Sequence, residues 1–331
     1  MAEICVTHTL RPMVDRPRII VWADARQSDL VRDVADRAAL ALIAVGAEDD
    51  DEGTSLSRSL GVEHVHDIRQ AIQHPEADLF WIATDETIGP EALRLIQARG
   101  VRTVTSQPIP ASMSEALDAP ADAAVRFVPL MRRSDGFRAA EDVFESFGER
   151  HAVAIQFLAR PGESSLFSRL FDAMDILESV CGTAEQIDAS LISPFGSTPD
   201  ELVDLEGTIT ANVRFSDQRC AAVTVSDQAG RWSRGVTVLG DGGCLRITDH
   251  TFEWIDRDGR TTEEDSPPPD SAGGCARAVA GHIQHLIRER DSRTPAPDSK
   301  KLLALCEATR LSCRTAEAES PRKMLEMLKR P

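Results

Sequence analysis

The segment DLFWIATDETIGPEALRLIQARGVRTVTSQP, residues 78–108, decides the fold. Residues 79–83 form a fully apolar run, which is typical of a parallel strand that is buried on both faces. Pro90 and Gly100 bracket an amphipathic stretch at the positions where helices begin and end. A second predicted strand at 101–105 (VRTVT) then leads to a Ser-Gln-Pro exit. Strand, helix and strand in this order predict a βαβ unit with parallel pairing.

The same alternation continues on both sides of this unit. Further strands are predicted at 18–23, 40–45, 63–65 and 125–130, and further helices at 28–38, 55–60, 67–73 and 137–147. Ser28 is a candidate N-cap of the first helix. The acidic run 47–53 indicates a solvated loop, and the composition of residues 111–124 indicates a linker or lid. Together these elements predict an open, doubly wound parallel sheet.

The second half of the chain changes to alternating strand patterns. After a helix at 167–180, strands are predicted at 206–215, 221–226, 235–239, 244–248 and 252–255, with hairpin turns at 241–243 and 257–259. A proline-rich loop precedes two helices, at 275–290 and 299–316. This part therefore predicts an open, mainly antiparallel sheet flanked by helices. The whole chain is predicted to be α/β followed by α+β.

Three regions follow from this organisation. Residues 1–17 are predicted to be a flexible arm, 18–124 the parallel α/β domain, and 125–320 an α+β domain whose closing helix packs back on the first domain.

Composition limits the classes of function. The net charge of −17 over 331 residues disfavours nucleic acid and anionic membranes as partners. No run of eighteen apolar residues and no N-terminal apolar segment are present, which argues against a membrane span or a secretory signal. Seven cysteines without a Cys-x-x-Cys pair indicate reduced thiols in a cytoplasmic protein and give no support to a zinc site.

Two residue types are missing where enzymes often need them. The chain has no tyrosine, so no phenol can act as a general acid. Its only lysines are at positions 300, 301, 323 and 329, and arginine does not release its proton at neutral pH. No lysine is therefore available in the first domain.

Residues 18–320 resemble the glucose–fructose oxidoreductase / inositol dehydrogenase / rhizopine-catabolism (Gfo/Idh/MocA) family. The most specific segment is 78–108, where Gly89, Gly100 and Pro108 match the family spacing without a gap. The resemblance implies a Rossmann-like N-terminal domain and a C-terminal open sheet. It also implies NAD or NADP as cofactor, a sugar- or polyol-like small-molecule substrate, and homo-oligomers formed through the C-terminal sheet.

The resemblance places the cofactor beside the turn after the first strand. The family has G-x-G-x-x-G there, and this chain has Ala23, Ala25 and Ser28 at the same spacing. Gly46 stands where an acidic residue would bind the ribose, with Glu48 two residues further on. An ordinary strand-to-helix turn is the alternative interpretation. The implied cofactor-binding residues are Ala23, Asp24, Ala25, Arg26, Gln27, Ser28, Ala83, Thr84, Asp85, Gln107 and Pro108.

The catalytic positions of the family are substituted. Gln107 occupies the place of the lysine of Glu-Lys-Pro, and a glutamine can hydrogen-bond a substrate but cannot titrate. In the segment 164–175, Asp172 falls at the family's histidine, Ser168 at its first aspartate, and Asp175 keeps its identity. The candidate catalytic residues are therefore Gln107, Asp172 and Asp175. The two aspartates, at i and i+3, are either an acid–base pair or a charged face or helix-start effect.

The histidines give no second site. His64 and His66 alternate along a predicted strand, but metal binding needs more converging ligands than the sequence shows, and no metal site is predicted. His282 and His285 are assigned to a helix surface or to packing. Two functions stay open: an NAD(P)-dependent oxidoreductase with relocated chemistry, and a non-catalytic relative that binds a ligand or a partner subunit.

Overall fold

The computed structural model describes residues 16–84, 88–118, 125–265, 274–288 and 297–327. Within these ranges the first sheet has six parallel strands in the order β3-β2-β1-β4-β5-β6, which confirms the predicted doubly wound sheet. Its elements are β1 (Arg18–Trp22), α1 (Ser28–Arg37), β2 (Ala41–Gly46), α2 (Asp50–Leu60), β3 (Glu63–His64), α3 (Ile68–Gln73), β4 (Leu79–Ile82), α4 (Pro90–Arg99), β5 (Arg102–Thr105), α5 (Met113–Asp118) and β6 (Val125–Phe127).

The second sheet has eight strands in the order β14-β13-β12-β11-β7-β10-β9-β8. Only the β7–β10 pairing is parallel among its described neighbours, so the predicted open, mainly antiparallel sheet is confirmed. Its elements are α6 (Asp135–Ala139), α7 (Glu141–Ser146), β7 (Arg150–Leu158), α8 (Leu166–Cys181), β8 (Gln186–Ile192), β9 (Thr208–Arg214), β10 (Cys220–Ser226), β11 (Ser233–Gly240), β12 (Gly243–Thr248), β13 (Phe252–Ile255), β14 (Thr261–Glu264), α9 (Gly274–Arg288), α10 (Ser299–Thr315) and α11 (Pro321–Met327).

Helices join the two sheets into one molecule. Nearly every residue of α8 is buried, because the helix lies against β7 and β10 on one side and α10 on another. Helix α9 packs on α1 and contributes Val279 and Ile283 to the core of the first sheet. Helix α10 packs on α8 and β8 and also contacts α5. The first domain is therefore covered by α9, which the sequence did not assign to it.

Several local predictions are wrong, and each has a physical reason. Only residues 47–49 of the acidic run form a loop, because Asp49 caps α2 and the acidic residues after it stabilise the helix N-terminus. Ser28 is not an N-cap; it is the first residue of α1, and a 3-10 turn over Ala25–Gln27 precedes it. The single helix predicted at 137–147 is split at Ala140 into α6 and α7. Strands β8 and β14 were not predicted.

The regional boundaries stay predictions. Most of the predicted arm, residues 1–17, lies outside the described residues, as does 119–124 of the predicted linker. Residues 113–118 of that linker form α5, and β6 pairs with β5 as the edge strand of the first sheet. Among the described helices, none is long and apolar enough to cross a membrane.

Candidate functional site

The turn between β1 and α1 is closed by a buried glutamine. The side chain of Gln27 accepts a hydrogen bond from the Asp24 amide at 3.1 Å and donates to the Ala83 carbonyl at 2.9 Å. Gln27 thus links the carboxyl ends of β1 and β4 by hydrogen bonds. In the family that the chain resembles, glycines form this turn. The sequence placed Gln27 and Ala83 in the cofactor set, and the structure brings them into contact.

Two carboxylates, those of Glu52 and Asp24, accept hydrogen bonds in and around the same turn. The Ala25 amide donates to Glu52 Oε2 at 3.3 Å, from the first turn of α2. Asp24 accepts from the Thr84 hydroxyl at 3.0 Å and from Arg26 at 3.2 Å. A nucleotide phosphate needs free amide donors and positive charge at this place, so Glu52 and Asp24 compete with it.

Trp22 explains the missing acidic residue after β2. A Cβ atom built on Gly46 would lie 2.3 Å from the Trp22 ring, so position 46 has no room for a side chain. Trp22 is itself almost completely buried. A carboxylate for a ribose therefore cannot come from the usual position, and the nearest alternative is Glu48.

A pocket of about 380 Å³ lies at the carboxyl ends of the first sheet's strands. Thr84 is the only member of the predicted cofactor set that lines it, and Asp85 of that set lies outside the described residues. Sequence reasoning missed most of the lining, because much of it comes from α3 and α4 and not from the turn between β1 and α1. The lining residues are Trp22, Glu48, His66, Asp67, Ile68, Arg69, Thr84, Ile88, Gly89, Glu91 and Ala92.

Gln107, which the resemblance aligns with the family's lysine, is bound by Ser165, the N-cap of α8, and by Ser168 within α8. Its Oε1 accepts hydrogen bonds from the hydroxyls of Ser165 at 2.9 Å and Ser168 at 2.7 Å. Gln107 is 3% exposed and Ser168 is fully buried. The structure therefore brings together two positions that the sequence paired only through the resemblance. Neither carries a charge, and the adjacent Pro108 is buried as well.

Asp172 has both carboxylate oxygens engaged. Oδ1 accepts the Met131 amide at 2.7 Å, and Oδ2 accepts from Arg234 at 2.7 Å. Asp172 is completely buried, so the alternative of a solvated acidic face is wrong for it. It also lies in the middle of α8, which contradicts a helix-start effect.

Arg234 continues the network away from Asp172. Its guanidinium pairs with Asp249 at 2.5 Å, and the Trp232 indole donates to the same carboxylate at 2.9 Å. Burial lowers the pKa of Arg169 to about 10, although Asp172 lies 3.8 Å away and opposes the shift. The Arg169 guanidinium lies over the Trp232 ring at 4.2 Å. Asp172 and Arg169 are therefore enclosed by protein groups, whereas Arg234 and Asp249 also line a pocket of about 280 Å³.

Asp175 forms a separate pair. Arg132 binds both of its oxygens, at 2.5 and 2.8 Å. Burial raises the pKa of Asp175 to about 6, because desolvation outweighs the ion pair with Arg132. Asp172 and Asp175 thus have different arginine partners and are not hydrogen-bonded to each other in the described structure.

Two other histidines have packing contacts. His282 is buried, its Nδ1 accepts the Leu130 amide at 3.1 Å, and burial lowers its pKa to about 3. His285 contacts Arg138 at 2.9 Å. Both agree with the packing and surface roles that the sequence suggested.

No family model and no curated protein matches this chain. Solved structures do match it. Levoglucosan dehydrogenase in complex with NADH and levoglucosan has a TM-score of 0.72 at 14% identity, over 92% of this chain and 99% of that one. A putative myo-inositol dehydrogenase from Sinorhizobium meliloti has a TM-score of 0.65 at 15% identity, over 92% and 99%. An oxidoreductase from Agrobacterium radiobacter in complex with NAD+, L-tartaric acid and magnesium has 0.65 at 17%, over 93% and 99%. The chain therefore has the two-domain fold of the Gfo/Idh/MocA-type dehydrogenases.

Proposed function

We propose that this chain binds an NAD-type nucleotide at the carboxyl edge of its first sheet but does not transfer hydride at the family's catalytic position. It is then a non-catalytic relative that acts as a ligand-binding or regulatory subunit. The observation that carries the second part is Asp172, which is fully buried with both oxygens bound by Met131 and Arg234. A general base must reach the proton it removes, and this carboxylate faces only protein groups.

Nucleotide binding is supported by the position and size of the pocket. It adjoins the ends of β1 and β4, the place where open parallel sheets bind their ligands. Glu48 supplies a carboxylate for ribose hydroxyls, and similar structures contain NADH or NAD+. The acidic turn at Asp24 and Glu52 opposes the pyrophosphate, so we expect weak affinity.

An active oxidoreductase on a sugar- or polyol-like substrate is the second candidate. Asp175 favours it, because a buried carboxyl group with a pKa of about 6 has the property of many general acids and bases. However, both oxygens of Asp175 are bound by Arg132, which favours a structural role. The hydride-transfer assay that closes the Discussion separates these two functions.

The binding test uses Gly89 as a site for a blocking side chain. Gly89 lines the pocket, has an ordinary backbone conformation, and a Cβ added there meets nothing within 4 Å. Gly89→Phe therefore fills the pocket without disturbing the fold. Gly230→Phe is the matched control, because Gly230 is equally open and lies in the second domain.

Titration with NADH and with NADPH, followed by energy transfer from tryptophan, measures the outcome. Saturable binding is expected in the wild type and in Gly230→Phe, and its loss in Gly89→Phe. No binding at millimolar nucleotide would remove the nucleotide-binding proposal. Equal binding by Gly89→Phe would mean that the nucleotide sits elsewhere.

Cytoplasmic localisation and self-association stay predictions. The outer face of the second sheet supports association, because it bears a largely apolar groove of about 290 Å³. Small and apolar side chains such as Ala152, Ala222 and Leu239 line this groove.

A further inference from the structure

The connection from β2 through α2 to β3 places three potential metal ligands together. Asp50 is the first residue of α2, His64 ends β3, and His66 follows two residues later. Because side chains at i and i+2 of an extended chain point to the same side, both imidazoles face the start of α2. From the sequence only the two histidines were candidates, because Asp50 lies in the acidic run that was interpreted as a loop.

The three ligand atoms converge. His66 Nδ1 lies 2.6 Å from Asp50 Oδ1, and His64 Nε2 lies 3.7 Å from the same oxygen. All three atoms lie within 4.8 Å of one another. Ligands of one Zn²⁺ ion, each at about 2.0–2.2 Å, need separations of this order, so small side-chain adjustments suffice.

His64 is the member that a simple ion pair does not explain. Its Nε2 atom is buried and has no hydrogen-bond partner among the described residues. Its other nitrogen, Nδ1, lies 3.4 Å from the Thr54 hydroxyl. A metal-bound histidine commonly donates its second N–H to such a partner, which fixes the ring and leaves the first nitrogen free to bind.

Gly53 lies next to His64 and has no side chain that would overlap its Nε2 atom. A Cβ atom at this position would lie 2.4 Å from His64 Nε2. A side chain at 53 would therefore occupy the space beside the nitrogen.

We propose that Asp50, His64 and His66 form a binding site for a divalent transition-metal ion of the Zn²⁺ type. Two imidazoles and one carboxylate suit Zn²⁺ and its neighbours, whereas Mg²⁺ and Ca²⁺ prefer oxygen ligands. Three protein ligands leave at least one coordination position for a water or a ligand.

The site also adjoins the proposed nucleotide pocket, because His66 lines it. A bound cation would offset the negative charge that Glu48 and the first turn of α2 place there. The metal proposal does not rest on nucleotide binding, and its test contains no nucleotide.

The test is titration of the chelator-treated full chain with Zn²⁺ by calorimetry, and with Co²⁺ by visible absorption. One Zn²⁺ per chain is expected, together with Co²⁺ bands that lack sulfur-to-metal charge transfer. His66→Gln and Asp50→Asn, both at exposed positions, should weaken Zn²⁺ binding by at least about 100-fold. Thr54→Val, which removes only the outer partner, should weaken it by about 10–100-fold.

His151→Gln is the matched control, because His151 also pairs with a single aspartate, Asp241, at 3.2 Å. It should bind Zn²⁺ like the wild type. Unchanged binding in His66→Gln and Asp50→Asn, an equal loss in His151→Gln, or a thiolate band with Co²⁺ would each overturn the proposal. Stoichiometric Mg²⁺ binding in place of Zn²⁺ would overturn the choice of ion.

Discussion

At the residue scale, the carboxylate of Glu52 accepts a hydrogen bond from the Ala25 amide, in the turn that would face a nucleotide phosphate. Glu52→Ala removes both the negative charge and the competition for this donor, so NADH should bind several-fold more tightly, by about 1 kcal/mol for one charge-assisted hydrogen bond. Fluorescence titration measures the difference.

Asp51→Ala is the control for this variant. It removes the same charge from the same helix turn, and the described turn residues do not depend on its side chain for a hydrogen bond. An equal gain in both variants would attribute the effect to general charge. Weaker binding in Glu52→Ala would contradict the competition.

Gln107 and Ser168 form a neutral pair where the family has a lysine and an aspartate. Gln107→Lys alone places an ammonium group in a buried position without a carboxylate partner, so the free energy of unfolding should fall by roughly 3–5 kcal/mol. Adding Ser168→Asp places an opposite charge next to position 107, because the Ser168 and Gln107 side chains are in contact in the wild type.

A double-mutant cycle in urea measures this coupling. The double variant should be more stable than the sum of the single changes predicts, by at least about 1 kcal/mol. Simple additivity would show that the two positions do not form the pair that we describe.

These residue-level features were predictable to different degrees. The alignment of 78–108 correctly placed Gln107 at the end of β5, because strand, helix and exit lengths are local. It could not show that Arg234 binds Asp172, since Arg234 lies on β11, some sixty residues later in the chain. The contact of Glu52 was not predicted, because the acidic run 47–53 was interpreted as a loop. Only the start of α2 within that run brings Glu52 to the turn between β1 and α1.

At the element scale, α8 carries two buried aspartates with different partners. The pKa of Asp175 is raised in the folded state from 3.8 to about 6, so between these values the folded protein holds a proton that the unfolded chain has lost. The stability from this proton is present below pH about 4 and decreases as pH rises to about 6.

Asp175→Asn removes this dependence. The unfolding free energy of the wild type, relative to Asp175→Asn, should therefore fall by about 2–3 kcal/mol between pH 4 and pH 6.5. Denaturation curves at several pH values give the comparison. A difference that is constant over this range would mean that the Arg132 ion pair keeps Asp175 ionised throughout.

The elements that the sequence predicted well have strong local signals. Helix α4 has Pro90 in its first turn and Gly100 in the left-handed conformation after its end, and its predicted bounds are correct. Strands β8 and β14 were missed, although β8 follows the glycine that ends α8, and β14 is short and exposed. Their pairing depends on neighbouring strands and not on their own composition.

At the scale of the whole molecule, the chain has the fold of a dehydrogenase but different residues at the positions that the resemblance aligns with the family's catalytic ones. The two sheets and their connecting helices match dehydrogenases over more than nine-tenths of the chain. At the position that the resemblance aligns with the family's histidine, Asp172 belongs to a buried network of arginine and aspartate side chains. A fold can keep its nucleotide pocket and lose its chemistry, because the two lie on different elements.

Hydride transfer is the most direct measurement of this account. The purified chain is incubated at saturating NAD+ with a panel of sugars and polyols, and NADH formation is followed by absorbance, with Gly89→Phe as the pocket-blocked control. The account predicts nucleotide binding without NADH formation above the control for every substrate. NADH formation by the wild type that Gly89→Phe abolishes would contradict it.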